Sequence, residues 1–160
     1  MDKKYRYAAI EKNDFINGVG VSVSFWTQGC PHRCPGCHNV DTWDFNGGVE
    51  DTLSNIKEKI DNAINANGVK RNFSILGGEP LCQENFLLTV ILAAYVKETY
   101  PSRQIYLWTG YDFLKDFKNS VITEYVDVVI DGPYVEKERD ITLPLRGSKN
   151  QRVLLKGIDF

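Results

Sequence analysis

Phe73-Ser74-Ile75-Leu76-Gly77-Gly78-Glu79-Pro80 is a short, nearly continuous apolar run that empties into two glycines, a carboxylate and a proline. A strand buried on both faces reads this way, because a parallel strand covered by crossover helices has no solvent face on which polar residues would alternate. The glycines at its end mark a loop on the carboxyl side of a sheet.

Working outward, Leu53, Ile56, Ile60 and Ile64 recur at helical spacing and predict a helix over about 51–66. Beyond the turn, a second helix is expected from about Gln83 to Thr99, with Phe86, Val90, Ile91, Ala94 and Tyr95 facing inward. Val21 to Thr27, rich in β-branched and aromatic residues, reads as a strand running straight into a cluster of cysteines. Gln104 to Trp108 reads as another, ending at Thr109-Gly110 and followed by a short helix from Tyr111 to Lys118. Val126, Val128 and Ile130 alternate along a further strand that ends at Asp131-Gly132-Pro133, and Tyr7 to Ile10 and Gln151 to Leu155 are the outermost candidates.

Strands alternating with helices imply right-handed crossovers and a parallel sheet. The expected fold is α/β, an incomplete TIM-type barrel of about five to six βα units with its sheet open on one side, since a closed barrel takes roughly 250 residues. The chain has 160. In such barrels the site lies at the carboxyl ends of the strands, where every loop singled out here falls.

One domain over 1–160 is expected, long enough to bury roughly 70% of its unfolded surface. A net charge of -2 gives no electrostatic case for nucleic acid or an anionic membrane. Met1-Asp2-Lys3-Lys4-Tyr5-Arg6 has no apolar segment behind it, so no secretory signal is expected. Phe86 to Val96 is too short to span a bilayer. The expected compartment is the cytosol, where clustered cysteines read as metal-binding or catalytic.

Cys30-Pro31-His32-Arg33-Cys34-Pro35-Gly36-Cys37-His38 holds three of the four cysteines. The spacing lets all three sulfurs converge on one inorganic centre from a single loop. A zinc site or a simple electron-transfer cluster takes four protein ligands. Here the loop supplies three, and the open alternative is a zinc knuckle completed by His32, His38 or Cys82. Cys82 reads equally as a buried small hydrophobe. The glycines of the Gly77-Gly78-Glu79-Pro80 turn free carbonyls to accept hydrogen bonds and Glu79 adds a carboxylate, a combination suited to an ammonium group.

Cys30-x3-Cys34-x2-Cys37 resembles the signature of the radical S-adenosylmethionine (SAM) enzymes, and Gly77-Gly78-Glu79 is similar to the motif with which they hold the methionine amino group. Gly36 stands where many of them carry an aromatic residue near the adenine, and His38 on the other side of Cys37 is the candidate substitute. Asn17-Gly18-Val19-Gly20, Cys34-Pro35-Gly36-Cys37, Thr42-Trp43, Trp108-Thr109-Gly110-Tyr111, Asp131-Gly132 and Arg146-Gly147-Ser148-x-Asn150-Gln151 narrow the resemblance to the anaerobic ribonucleoside-triphosphate reductase activating proteins. Val19 replaces a common proline of that family, and Gly-Gly-Glu a frequent Gly-Gly-Asp. Cys37-His38-Asn39-x-Asp41-Thr42-Trp43-Asp44 also resembles the longer pyruvate formate-lyase activating enzymes, the runner-up; a radical SAM enzyme acting on a small molecule is the other alternative.

The resemblance implies a single radical SAM domain with a 4Fe-4S cluster on Cys30, Cys34 and Cys37, and SAM held by Gly36, Cys37, His38, Gly77, Gly78, Glu79, Thr109 and Asp131. It implies reductive cleavage of SAM to a 5′-deoxyadenosyl radical that takes a hydrogen from a glycine Cα of the large subunit of the reductase. It also implies a low-potential electron donor such as flavodoxin. Arg146, Asn150 and Arg152 are candidates for docking the partner, since this tail offers several donors after a glycine turn.

Overall fold

A computed structural model describes residues 2–160. The strands are β1 (Lys4–Asp14), β2 (Ser22–Thr27), β3 (Val49–Thr52), β4 (Asn72–Gly77), β5 (Ile105–Thr109), β6 (Val128–Asp131) and β7 (Arg152–Leu155). The helices are α1 (Leu53–Ile64), α2 (Gln83–Thr99) and the single turn α3 (Phe113–Asp116). All strands join one mixed sheet in the order β3-β1-β2-β4-β5-β6-β7. The four middle strands β2, β4, β5 and β6 are parallel, while β1 and β3 on one side and β7 on the other pair antiparallel.

The α/β class and the parallel centre follow the sequence pattern. The parallel run is four strands rather than the five to six units expected, because the outer strands turn back as antiparallel partners. β1 is longer than Tyr7 to Ile10, and β3 occupies residues assigned to the start of a helix. Thr52 ends β3 and caps α1, its Oγ1 accepting from Asn55 N at 3.2 Å.

Strand parity divides the molecule into two faces. Phe25, Phe73, Ile75, Ile105, Leu107 and Val129 pack against Ile56, Ile60 and Ile64 of α1 and Leu88, Leu92 and Val96 of α2 in the main core. Tyr106, Val128 and Ile130 lie on the other face beneath Trp108, Leu145 and Val153. The inward face of α2 differs from the expected one. Asn85, Leu88, Thr89, Leu92, Ala93 and Val96 are buried, whereas Phe86, Val90, Ile91, Ala94 and Tyr95 are half-buried. The helix is apolar nearly all round, so periodicity could not choose a face. Two of its polar residues turn inward because they have partners there: Thr89 Oγ1 donates to Pro80 O at 2.7 Å, and Asn85 reaches the site loops. No helix among the described residues is long and apolar enough to cross a membrane.

Candidate functional site

The loops that leave the carboxyl ends of β2, β4 and β5 meet at one place. Gly29 N donates to Thr42 O at 2.6 Å and Cys30 N to Trp43 O at 3.2 Å, so the first residues of the cysteine loop are tied to its far end. Glu79 N donates to Gly29 O at 2.8 Å, joining that loop to the turn after β4. The approach needs a bare backbone: a Cβ on Gly78 would collide with Gly29 O, and Gly77 sits at φ 113°, a left-handed conformation open to glycine. Asn85 of α2 secures the junction, its Nδ2 within 3.0–3.2 Å of Gln28 O, Gly29 O and Glu79 O.

These loops border a cavity of about 660 Å³, within the usual range for small-molecule sites. Cys30, Cys34 and Cys37 line it together with Gly77, Gly78, Glu79, Thr109 and His38. All four cysteines are free of disulfides. Burial pushes the Cys30 thiol up from its ordinary value, and the negative groups Glu79 and Cys34 push the same way. Backbone hydrogen bonds from His32 and Arg33 act in the other direction, and a cationic centre beside the sulfur would favour its thiolate. Asn39 N donates to Cys37 Sγ at 3.4 Å. Trp43 also lines the cavity, and its Nε1 is buried without a hydrogen-bond partner among the described residues. Three free thiols lining one cavity are a donor set for an inorganic centre.

Among the described residues no three His, Cys, Asp or Glu side chains gather closely enough to hold one metal ion. His32 is turned to Glu79, with Nε2 and Oε1 2.7 Å apart. Cys82 is buried outside the cavity, its Sγ donating to Glu79 O at 3.2 Å, and burial pushes its thiol up to about 12.

Glu79 is the electrostatic centre of the site. It is only 1% exposed, yet both carboxylate oxygens are filled. Oε1 accepts from Gly110 N and His32 Nε2, each at 2.7 Å, and Oε2 from Leu81 N and Thr109 Oγ1, each at 2.8 Å. The carboxylate thus pins the loop after β5 and the cysteine loop to the turn after β4. His32 has a sequence signal only as an imidazole between two cysteines, and Asn85 only as a polar residue in an apolar helix.

Asp131 does not line the main cavity. It is buried at the end of β6, where its carboxylate accepts from Phe113 N at 2.8 Å and from Arg152 Nε at 2.9 Å and Nη2 at 2.6 Å. Arg152 also reaches Asp112 at 2.9 Å, so this candidate docking side chain is committed to an internal ion pair. Asn150 Nδ2 donates to Pro133 O at 2.7 Å. Arg146 lines the cavity and donates to Gln151 O at 3.2 Å. Gly36, at φ 78°, lies against the Glu136 side chain, and the ring of His38 is 6.0 Å from that of Tyr134. The segment after β6 therefore folds over the cysteine loop.

A family model described as a 4Fe-4S single cluster domain matches residues 16–154. The anaerobic ribonucleoside-triphosphate reductase-activating protein of Enterobacteria phage T4 is 37% identical over 147 residues, covering 92% of each chain. The proteins of that name from Escherichia coli K12 and Vibrio cholerae are 35% and 34% identical, covering 88% and 86% of this chain and 92% and 90% of their own.

Proposed function

The chain belongs to the anaerobic ribonucleoside-triphosphate reductase-activating proteins and carries a 4Fe-4S single cluster domain, and on that premise we propose that it is a radical SAM activase of the reductase. The observation that carries this reading is the meeting of three unpaired cysteines and the Gly77-Gly78-Glu79 turn on one cavity. Cys30, Cys34 and Cys37 would hold the cluster, leaving one iron for SAM. Bound there, cluster and SAM supply a one-electron cleavage of SAM that ends with a hydrogen taken from a glycine Cα of the reductase.

The protein's own part is placement. Asn39 N donates to Cys37 Sγ, Gly77 and Gly78 would present bare backbone to the ligand, and the loops knitted around Glu79 fix these groups relative to one another. Thr109 acts through Glu79, to which its hydroxyl donates. Cys37 and His38 line the cavity and, with the neighbouring Gly36, would take the adenine. Asp131 acts at a distance, by holding the start of α3 and β7 in place. We read the sheet as the incomplete barrel expected from the sequence, whose open side admits a polypeptide. Arg146, at the cavity rim, is the candidate contact for the reductase. A low-potential donor such as flavodoxin supplies the electron, in the cytoplasm.

The experiment is anaerobic reconstitution with iron and sulfide, followed by reduction with SAM and the anaerobic reductase from the same source. A glycine-centred radical on the reductase, seen by electron paramagnetic resonance, supports the proposal. A fully loaded, reduced protein that yields none refutes it.

A further inference from the structure

Four donors surround the Glu79 carboxylate, and three of them cannot leave. Leu81 N and Gly110 N are backbone groups, and Thr109 is buried at the end of β5. The fourth, the imidazole of His32, belongs to the cysteine loop and borders the cavity. Its side chain is 19% exposed against 1% for Glu79, so it has somewhere to go. The ring lies flush on Gly110, where a Cβ would stand 2.7 Å from His32 Cδ2. Turning the ring outward would therefore open a space bounded by Glu79 Oε1 and the bare backbone of Gly110.

We propose that His32 is a displaceable placeholder on Glu79, which gives way to the amino group of the ligand and thereby selects for ligands that carry one. The inference rests on the reading above that this cavity takes SAM. Without His32, Oε1 would keep Gly110 N alone, and a buried carboxylate oxygen short of one of its two donors is costly, so the empty site favours the imidazole. An ammonium is a full positive charge with three donors and no acceptor, and against a buried carboxylate it outbids a single imidazole N–H. A ligand without an amino group has nothing to offer Oε1 and leaves His32 where it is. The residue is thus a specificity device rather than a catalytic one, and it couples the cysteine loop to the arrival of the ligand.

The test uses the full chain, iron-loaded and kept unreduced so that no chemistry follows binding. SAM and its analogue lacking the α-amino group are titrated calorimetrically into the wild type, His32→Ala and His32→Gln. Removing the competitor should tighten SAM about tenfold, the worth of one hydrogen bond to a charged group, and leave the analogue unchanged. His32→Gln, which restores a donor to Glu79, should return SAM toward the wild-type value. Crystals of the wild type with and without SAM give an independent reading: the imidazole should leave Glu79 only when SAM is present. Weaker or unchanged SAM binding by His32→Ala, or an imidazole still on Glu79 in the SAM complex, overturns the placeholder. A wild type that binds no SAM at all overturns the assigned function itself.

Discussion

Glu79→Gln is the sharpest probe of the network that holds the site together, because its cost can be worked out without any bound group. In the wild type each carboxylate oxygen accepts two hydrogen bonds. Replacing one oxygen by an amide nitrogen turns that corner into a donor facing two donors. If it faces Oε2's partners, the Thr109 hydroxyl can reverse and accept, but Leu81 N is stranded. If it faces Oε1's partners, His32 can change tautomer, but Gly110 N is stranded. Either way one backbone donor loses its partner. A stranded donor costs about 1–3 kcal/mol and loss of charge assistance on the surviving bonds about 1 kcal/mol, so the substitution should destabilise by about 3 kcal/mol. In a chain of this size that lowers the melting temperature by about 6–12 °C. Thermal unfolding of the metal-free, reduced protein is the assay, with Glu84→Gln as the control because Glu84 is exposed on the first turn of α2. A loss indistinguishable from that control would show that the carboxylate is not fourfold bonded.

Further outcomes follow from the same geometry. Cys34→Ser and Cys37→Ser should each sharply reduce the iron retained after anaerobic reconstitution, whereas Cys82→Ala should keep the wild-type content; iron loss on changing Cys82 would place it in the ligand set. The Cys82 thiol, pushed from its ordinary value of 9.0 up to about 12 by burial, contributes to stability as long as it is protonated in both states; once the unfolded chain ionises and the folded one does not, the equilibrium moves toward unfolding. Its contribution is fully present below about pH 9 and declines from there toward about pH 12. Urea midpoints measured across that window should fall less steeply for Cys82→Ala, and parallel slopes would contradict the shift. Arg146→Ala should weaken capture of the reductase several-fold while leaving SAM cleavage intact, since its guanidinium borders the cavity and makes one backbone contact. Equal loss of both activities would refute a docking role.

The parts of the molecule legible in the sequence are those encoded by neighbours in the chain. The bounds of α2 agree with expectation because Gln83 and Thr99 delimit one uninterrupted helical run. The β4 turn could be read because two glycines follow an apolar strand. β3 was hidden, since Val49 is its only apolar residue and its pairing with Lys4 to Tyr7 is long-range. Residue type alone also left the partners of Arg152 unread. An arginine in a polar tail reads as a free surface donor, and only the antiparallel pairing of β7 with β6 brings it to Asp131. Glu79 was recognised as a site residue for its charge, but its four donors come from three different loops, and no local pattern reports such a convergence.

The backbone knots at the root of the cysteine loop bear on how the protein matures. Small zinc modules gain their order from the metal and are unfolded without it. Here Gly29 and Cys30 are already fastened to Thr42 and Trp43 by main-chain bonds that involve no sulfur. Much of the entropy of ordering this segment is thereby spent during folding of the sheet. Iron delivery becomes a late event on a finished scaffold, so oxidative loss of the inorganic centre should leave a folded husk that can be recharged.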